Sequence, residues 1–165
     1  NPVSNLYAIK SIKIIMEYLP KVLKDLTNLH YREMITMGSM YAGLAFSNTK
    51  TAISHNISYP ITLKYGTPHG IACSFTLPVV LKSIIGQDKN CDMNFMNLFG
   101  NDLHKGPEIL KSFFESIDIS INPKSYVGNA NDWDLIVSDA FEGERGKNFI
   151  GNLESLRKAQ ELMGL

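Results

Sequence analysis

Between Val3 and Thr27, Ala8, Ile9, Ile12, Ile15, Met16, Leu19 and Leu23 recur at three- and four-residue steps, while Lys10, Lys13, Glu17, Lys21 and Lys24 take the other side. That period predicts an amphipathic helix, with a kink or break at Pro20, whose ring removes a backbone donor. The pattern repeats over 31 to 46 with Met34, Met37, Tyr41, Leu44 and Ala45, where Gly38, Ala42 and Gly43 leave room for a close helix neighbour. Ser47-Asn48-Thr49 reads as a turn. A third helix is predicted from Thr51 to Tyr65, interrupted near Pro60, and a fourth from Pro68 to Ile85, with Pro68 in its first turn.

Further along, Asp92 predicts the cap of a short helix through Phe99, and Pro107 opens one ending near Ile117. Asn131 or Asp132 opens another that reaches Phe141, and Asn152 to Leu162 forms the last. Only Ile117-Asp118-Ile119-Ser120-Ile121 alternates with period two. It closes at Asn122-Pro123 and makes at most an isolated extended connector. Seven or eight helices, without βαβ alternation or internal repeat, predict one all-α domain, a multi-helix bundle.

Composition narrows the class of function. At 165 residues and 44% hydrophobic content, one compact core is within reach, burying about 70% of the unfolded surface. Sixteen Lys and Arg balance sixteen Asp and Glu, so no basic field exists to hold a polyanion. Nucleic acid and anionic membrane surfaces are therefore excluded as expected partners. The uncharged stretch from Tyr65 to Leu81 holds Pro68, Pro78, Gly66, Gly70 and His69 and does not read as a membrane span. Cys73 and Cys91 are too few for a disulfide framework and form no Cys-x-x-Cys pair, which points to a reducing, cytoplasmic setting. The opening Asn1-Pro2-Val3 carries no leader pattern.

Charge is distributed unevenly. Between Met34 and Leu81 the only charged side chains are Lys50 and Lys64. Such a run is either the centre of the domain or the wall of a site, and as a wall it predicts an apolar, exposed face.

Within it lie His55 and His69, fourteen residues apart. On one straight helix they would stand about 21 Å apart, beyond the reach of a shared ion. Pro60, Gly66 and Pro68 break that helix and let the two imidazoles converge. A lone histidine in an apolar segment is more often a satisfied core residue, and a catalytic metal needs three or four protein ligands. No acidic residue lies nearby in sequence to complete the set, so spacing alone leaves it open. Nothing else competes: Ser74 and Ser83 lack a nucleophile-elbow context, neither cysteine has a base adjacent in sequence, and no glycine-rich phosphate loop follows a strand. Gly143-Glu144-Arg145-Gly146-Lys147 reads as an exposed turn.

The run Ala42-Gly43-Leu44-Ala45-Phe46-Ser47-Asn48, then Ala52-Ile53-Ser54-His55, Tyr59-Pro60, Tyr65-Gly66-Thr67-Pro68-His69-Gly70 and Leu77-Pro78, resembles the iron-containing (group III) alcohol dehydrogenase family. The resemblance extends from Ser4 to Asn148 and covers the family's C-terminal half. It implies that residues 1–165 are a C-terminal, all-helical metal-binding and substrate domain, with the N-terminal Rossmann-like NAD(P) domain absent from the chain. The family's divalent metal, iron or zinc, is held by an Asp, a His four residues later and two further histidines. The last two match His55 and His69, and the first two would lie upstream of Asn1. The implied activity is that of an oxidoreductase, interconverting a small alcohol and its aldehyde by hydride exchange with NAD(P)H. The implied full-length state is a homo-oligomer, and the isolated chain is expected to be inactive.

Many members carry a second histidine four residues after the first of these ligands, and here that position is Tyr59. A phenol can hydrogen-bond an alcohol oxygen but does not relay protons near neutral pH as imidazole does, so Tyr59 enters as the catalytic-side donor. Ser58-Tyr59-Pro60 in this slot resembles the branch acting on phosphonoacetaldehyde. Lys64 is the candidate cation for an anionic substrate, against its reading as a snorkelling surface lysine. The alternative to the enzyme reading is a non-catalytic helical module with structural histidines.

Overall fold

The computed structural model describes residues 1–165 and is all-α. It has ten α-helical segments, two single 3-10 turns and no strand. The chain begins with a helical hairpin. α1 (Pro2–Lys24) is capped by the Asn1 side chain, and α2 (Leu29–Phe46) by that of Asn28. They run antiparallel: the Tyr7 and Tyr41 rings stack at one end, Tyr18 meets His30 and Tyr31 at the other, and the buried Ser11 hydroxyl donates to the Gly38 carbonyl at 2.8 Å between them. Gly38 makes this approach possible, since a Cβ there would sit 3.1 Å from Ile15. Gly43 faces open space and plays no such part.

Neither Pro20, read as a kink or break, nor Pro60, read as an interruption, ends its helix. α1 continues through Pro20 to Lys24, and α3 (Ile53–Tyr65) continues through Pro60. In α3 the lost hydrogen bond is outweighed by burial on either side of the proline, because Ile53, Ile57 and Ile61 are completely inaccessible to solvent. The reversal that follows is made by Gly66, in the left-handed conformation at φ 71°, and by extended Pro68. Pro68 thus caps the next helix from outside instead of lying in its first turn.

The expected fourth helix is two: α4 (His69–Ser74) and α5 (Leu77–Ile84). Pro78, in the first turn of α5, has no N–H to bond back to Ser74 and so stops one helix from running on. α6 (Lys89–Phe99) is capped by Asp88, not by Asp92, whose carboxylate instead accepts from the Gly86 amide. α7 (Gly106–Glu115) follows, and the period-two run after it is irregular, turning at Asp118 with φ 58°. α8 (Ala130–Glu142) starts earlier than predicted, capped by Asn129 instead of opening at Asn131 or Asp132. Residues read as an exposed turn form α9 (Glu144–Lys147), and α10 (Leu153–Leu162) begins at Asn152 with a capping box closed by Ser155.

α3 is the central element. Its buried stripe packs with Ala72 and Phe75 from α4 and its end, and with Ile136, Val137 and Ala140 of α8. Phe75 is fully buried against Tyr126 and Trp133, with ring centroids 4.5 and 5.9 Å away. α10 closes the core from below α5 and α8. The α1–α2 hairpin stands apart from this core and leaves a cleft of about 640 Å³, lined by Ile15 and Leu19 on one side and Leu81, Phe95 and Phe113 on the other. No helix is long and apolar enough to cross a membrane.

Candidate metal and substrate site

Because Ile53, Ile57 and Ile61 fix one face of α3 inward, His55, Tyr59 and Leu63 line up at four-residue steps on another. Gly66 and Pro68 turn the chain so that His69, the first residue of α4, comes back over His55. The imidazole centroids are 5.0 Å apart and nearly perpendicular. Tyr59 meets His55 edge-on at 5.5 Å and stacks on His69 at 5.9 Å with 21° between the planes. All three residues singled out from the sequence therefore share one patch. His69 is exposed, His55 and Tyr59 are half-buried, and Leu63 is 84% exposed. Ile57, between His55 and Tyr59 in sequence, is wholly buried in the core.

A fourth member, Cys73, was missed. One helical turn after His69, its Sγ lies 3.5 Å from His55 Nδ1 and 3.5 Å from His69 Nε2. The three donor atoms all fall within 4.8 Å of one another. In a tetrahedral site with metal–nitrogen bonds of about 2.05 Å and a metal–sulfur bond of about 2.3 Å, adjacent nitrogen and sulfur donors stand about 3.6 Å apart. The two sulfur–nitrogen separations match that geometry, and the exposed side at His69 leaves room for further ligands. The sequence signal was the four-residue step from His69 to Cys73, which puts both on one helical face.

Electrostatics favour ligation by His55. Desolvation holds its imidazole below the ordinary value, helped by the neighbouring His69 and by Arg145, which keeps a lone pair available. Burial pushes the Cys73 thiol up, partly offset by a hydrogen bond with Ser58. Ser74 and Ser83 donate to helix carbonyls one turn back and have no base beside them.

Arg145 was read from the sequence as part of a turn, yet it faces this site. Its guanidinium carbon lies 5.2 Å from the Tyr59 ring centre, and its Nε donates to Thr51 Oγ1 at 2.8 Å. α9 is held flush by its glycine. A Cβ at Gly146 would run into the backbone of Ala140 and Phe141. The Asn56 amide of α3 donates to the Ala140 carbonyl at 2.8 Å, locking α8, α9 and α3 together. Lys64 does not reach the patch: it pairs with Asp132 at 2.8 Å, and the Tyr65 hydroxyl shares the same carboxylate.

The all-helical domain thus brings two histidines and a thiol close enough together to share one ion. Residues 1–156 match the model of the Fe-containing alcohol dehydrogenase family, C-terminal, and the chain belongs to that family. It is 35% identical over 79 residues to the NAD-dependent methanol dehydrogenase of Bacillus methanolicus, a match covering 48% of this chain and 21% of that protein. To the 1,3-propanediol dehydrogenase of Citrobacter freundii it is 33% identical over 82 residues, covering 50% and 21%. The fold is that of an alcohol dehydrogenase from Oenococcus oeni, with a TM-score of 0.85 at 21% identity over 98% of this chain and 45% of that one. The matched segment thus spans about a fifth of the sequence relatives, and the chain under half of the solved enzyme.

Proposed function

We propose that residues 1–165 are the metal-binding and substrate domain of a longer NAD(P)-linked alcohol dehydrogenase or aldehyde reductase. The observation that carries this reading is the convergence of two imidazoles on the Cys73 thiol, whose Sγ lies 3.5 Å from His55 Nδ1 and from His69 Nε2, with all the donor atoms within 4.8 Å of one another. These residues would hold a divalent ion, iron or zinc, and the thiol tilts the choice toward zinc. Bound there, such an ion supplies Lewis acidity toward the substrate oxygen, with a nicotinamide as hydride partner.

The chain's own residues do the rest. His55 and His69 offer neutral nitrogen donors from two helices whose relative position is fixed by Gly66 and by the α3 core. The Tyr59 ring walls the site between the imidazoles and Arg145, and its phenol is the donor on hand for an alcohol oxygen. Ser58 and Pro60 flank Tyr59 as they do in the resemblance to phosphonoacetaldehyde reduction, and that aldehyde is our candidate substrate.

The test is NAD(P)H oxidation by the full-length protein with propanal and with phosphonoacetaldehyde, before and after removal of metal by a chelator. The reading expects metal-dependent turnover that falls on the order of a hundredfold or more in His69→Ala, because each lost ligand weakens metal retention. Turnover unaffected by chelation, or equal in wild type and His69→Ala, would leave the histidines structural.

A further inference from the structure

Resting on that reading, we propose that Arg145 forms an anion subsite that grips the acid tail of the substrate: a short aldehyde or alcohol bearing a phosphonate, phosphate or carboxylate. Three independent features of the residue support it.

It has no counter-ion. The four ion pairs of the structure are Lys21–Glu17, Lys64–Asp132, Lys105–Asp102 and Lys147–Glu144, and Arg145 is in none of them. A guanidinium left without a carboxylate partner beside a reactive patch is available to a ligand's anion.

It is also fixed. Nε is committed to Thr51, the plane lies over Tyr59, and α9 cannot slide because Gly146 sits against the Ala140–Phe141 backbone. What remains is the pair of terminal nitrogens, a two-pronged donor suited to the paired oxygens of a phosphonate or carboxylate. The bond to Thr51 reduces the side-chain entropy lost on binding.

Finally, it is at a useful distance. One aromatic ring, Tyr59, separates the guanidinium from both imidazoles. The guanidinium is 5.2 Å from the Tyr59 ring centre, which is 5.5 and 5.9 Å from the two imidazoles, so a short acid-tailed aldehyde is of the size to span from the histidines to Arg145. Lys64, a cation of the charge-poor run, does not compete, because it is spent on Asp132.

The test compares kcat/KM of the full-length protein on phosphonoacetaldehyde, 3-oxopropanoate and propanal, in wild type, Arg145→Gln and Arg145→Lys. The expected result is a preference for an acid-tailed aldehyde over propanal that falls about a hundredfold in Arg145→Gln, the range of a charge-assisted hydrogen bond, and is partly restored in Arg145→Lys. Which acid is preferred separates phosphonate from carboxylate. A ratio unchanged by Arg145→Gln, with all substrates slowed alike, overturns the subsite and makes Arg145 a support for Tyr59. A wild type that turns over propanal but neither acid overturns the subsite while leaving the dehydrogenase reading intact. If no aldehyde is turned over, the dehydrogenase reading fails, and calorimetric titration with methylphosphonate still decides: binding weakened at least about tenfold in Arg145→Gln supports the subsite, and absent or equal binding overturns it.

Discussion

Replacing Gly146 with alanine tests how the site is assembled. The new Cβ would stand 2.7 Å from Phe141 Cα and 2.9 Å from its carbonyl carbon, and closer still to the Ala140 oxygen. All three are backbone atoms, so no rotamer change relieves them. The contact with the Ala140 oxygen is the tightest, and relieving it requires α9 to lift by more than about 1 Å, since close-packed interiors hold no spare room. The Ala140 carbonyl cannot retreat instead, because it is the acceptor for the Asn56 amide. Overpacking of this kind costs about 1–3 kcal/mol. For a domain of this size that is a fall in Tm of about 2 to 12 °C. The lift also carries Arg145, one residue earlier, off the Tyr59 ring. Thermal unfolding followed by circular dichroism reads the first effect, and NOE contacts between the Arg145 side chain and the Tyr59 ring protons read the second. Gly66→Ala serves as comparison: its φ of 71° imposes strain of about 1–2 kcal/mol, but nothing lies within 4 Å of the new Cβ and Arg145 stays put. A Gly146→Ala protein that melts within about 1 °C of wild type and keeps its Arg145–Tyr59 contacts would refute the packing argument.

Three further outcomes follow from the same geometry. Phe75→Ala, in the middle of the Tyr126 and Trp133 cluster, should lower stability to urea by about 3–5 kcal/mol, and a loss below about 1 kcal/mol would contradict its place in the core. Hydrogen bonds from Lys64 and Tyr65 hold the Asp132 carboxyl below its ordinary 3.8, so its contribution is fully present above that pH and is lost as the pH falls through the depressed folded value. The Tm gap between wild type and Asp132→Asn should accordingly be constant near neutrality and close in acid, and a gap that widens in acid would reverse the sign. Cys73→Ser should weaken zinc binding at least about tenfold by calorimetry while leaving the fold unchanged, and equal affinity would remove the thiol from the donor set.

The histidine pair was legible in the sequence because its ingredients are local: two imidazoles in a charge-poor run, with Gly66 and Pro68 between them to reverse the chain. Pro60 misled, because whether a proline breaks a helix depends on what flanks it, and three fully buried isoleucines keep α3 continuous. Cys73 was legible in principle, one helical turn from His69, but mattered only once His69 was known to start a helix. The division between α4 and α5 was written in Pro78. Arg145 could not be read in advance. Its contacts reach back to Tyr59 and Thr51 in α3 and the segment before it, some ninety residues away, and its placement depends on a glycine packed against the end of α8. Local propensity carries no information on contacts of that range, and a short, charged, glycine-flanked stretch looks like any solvated turn.

The account stands on a metal centre built by His55 and His69. Cobalt(II) titration of the chain, followed by visible and near-ultraviolet absorption, tests it most directly, because a nitrogen- and thiolate-bound cobalt ion shows d–d and sulfur charge-transfer bands that free cobalt lacks. The account predicts one ion per chain, both bands lost in His55→Ala and in His69→Ala, and both kept in His104→Ala, where an exposed histidine outside the site is removed. Bands that survive either of the first two substitutions, or that vanish with His104, would contradict it.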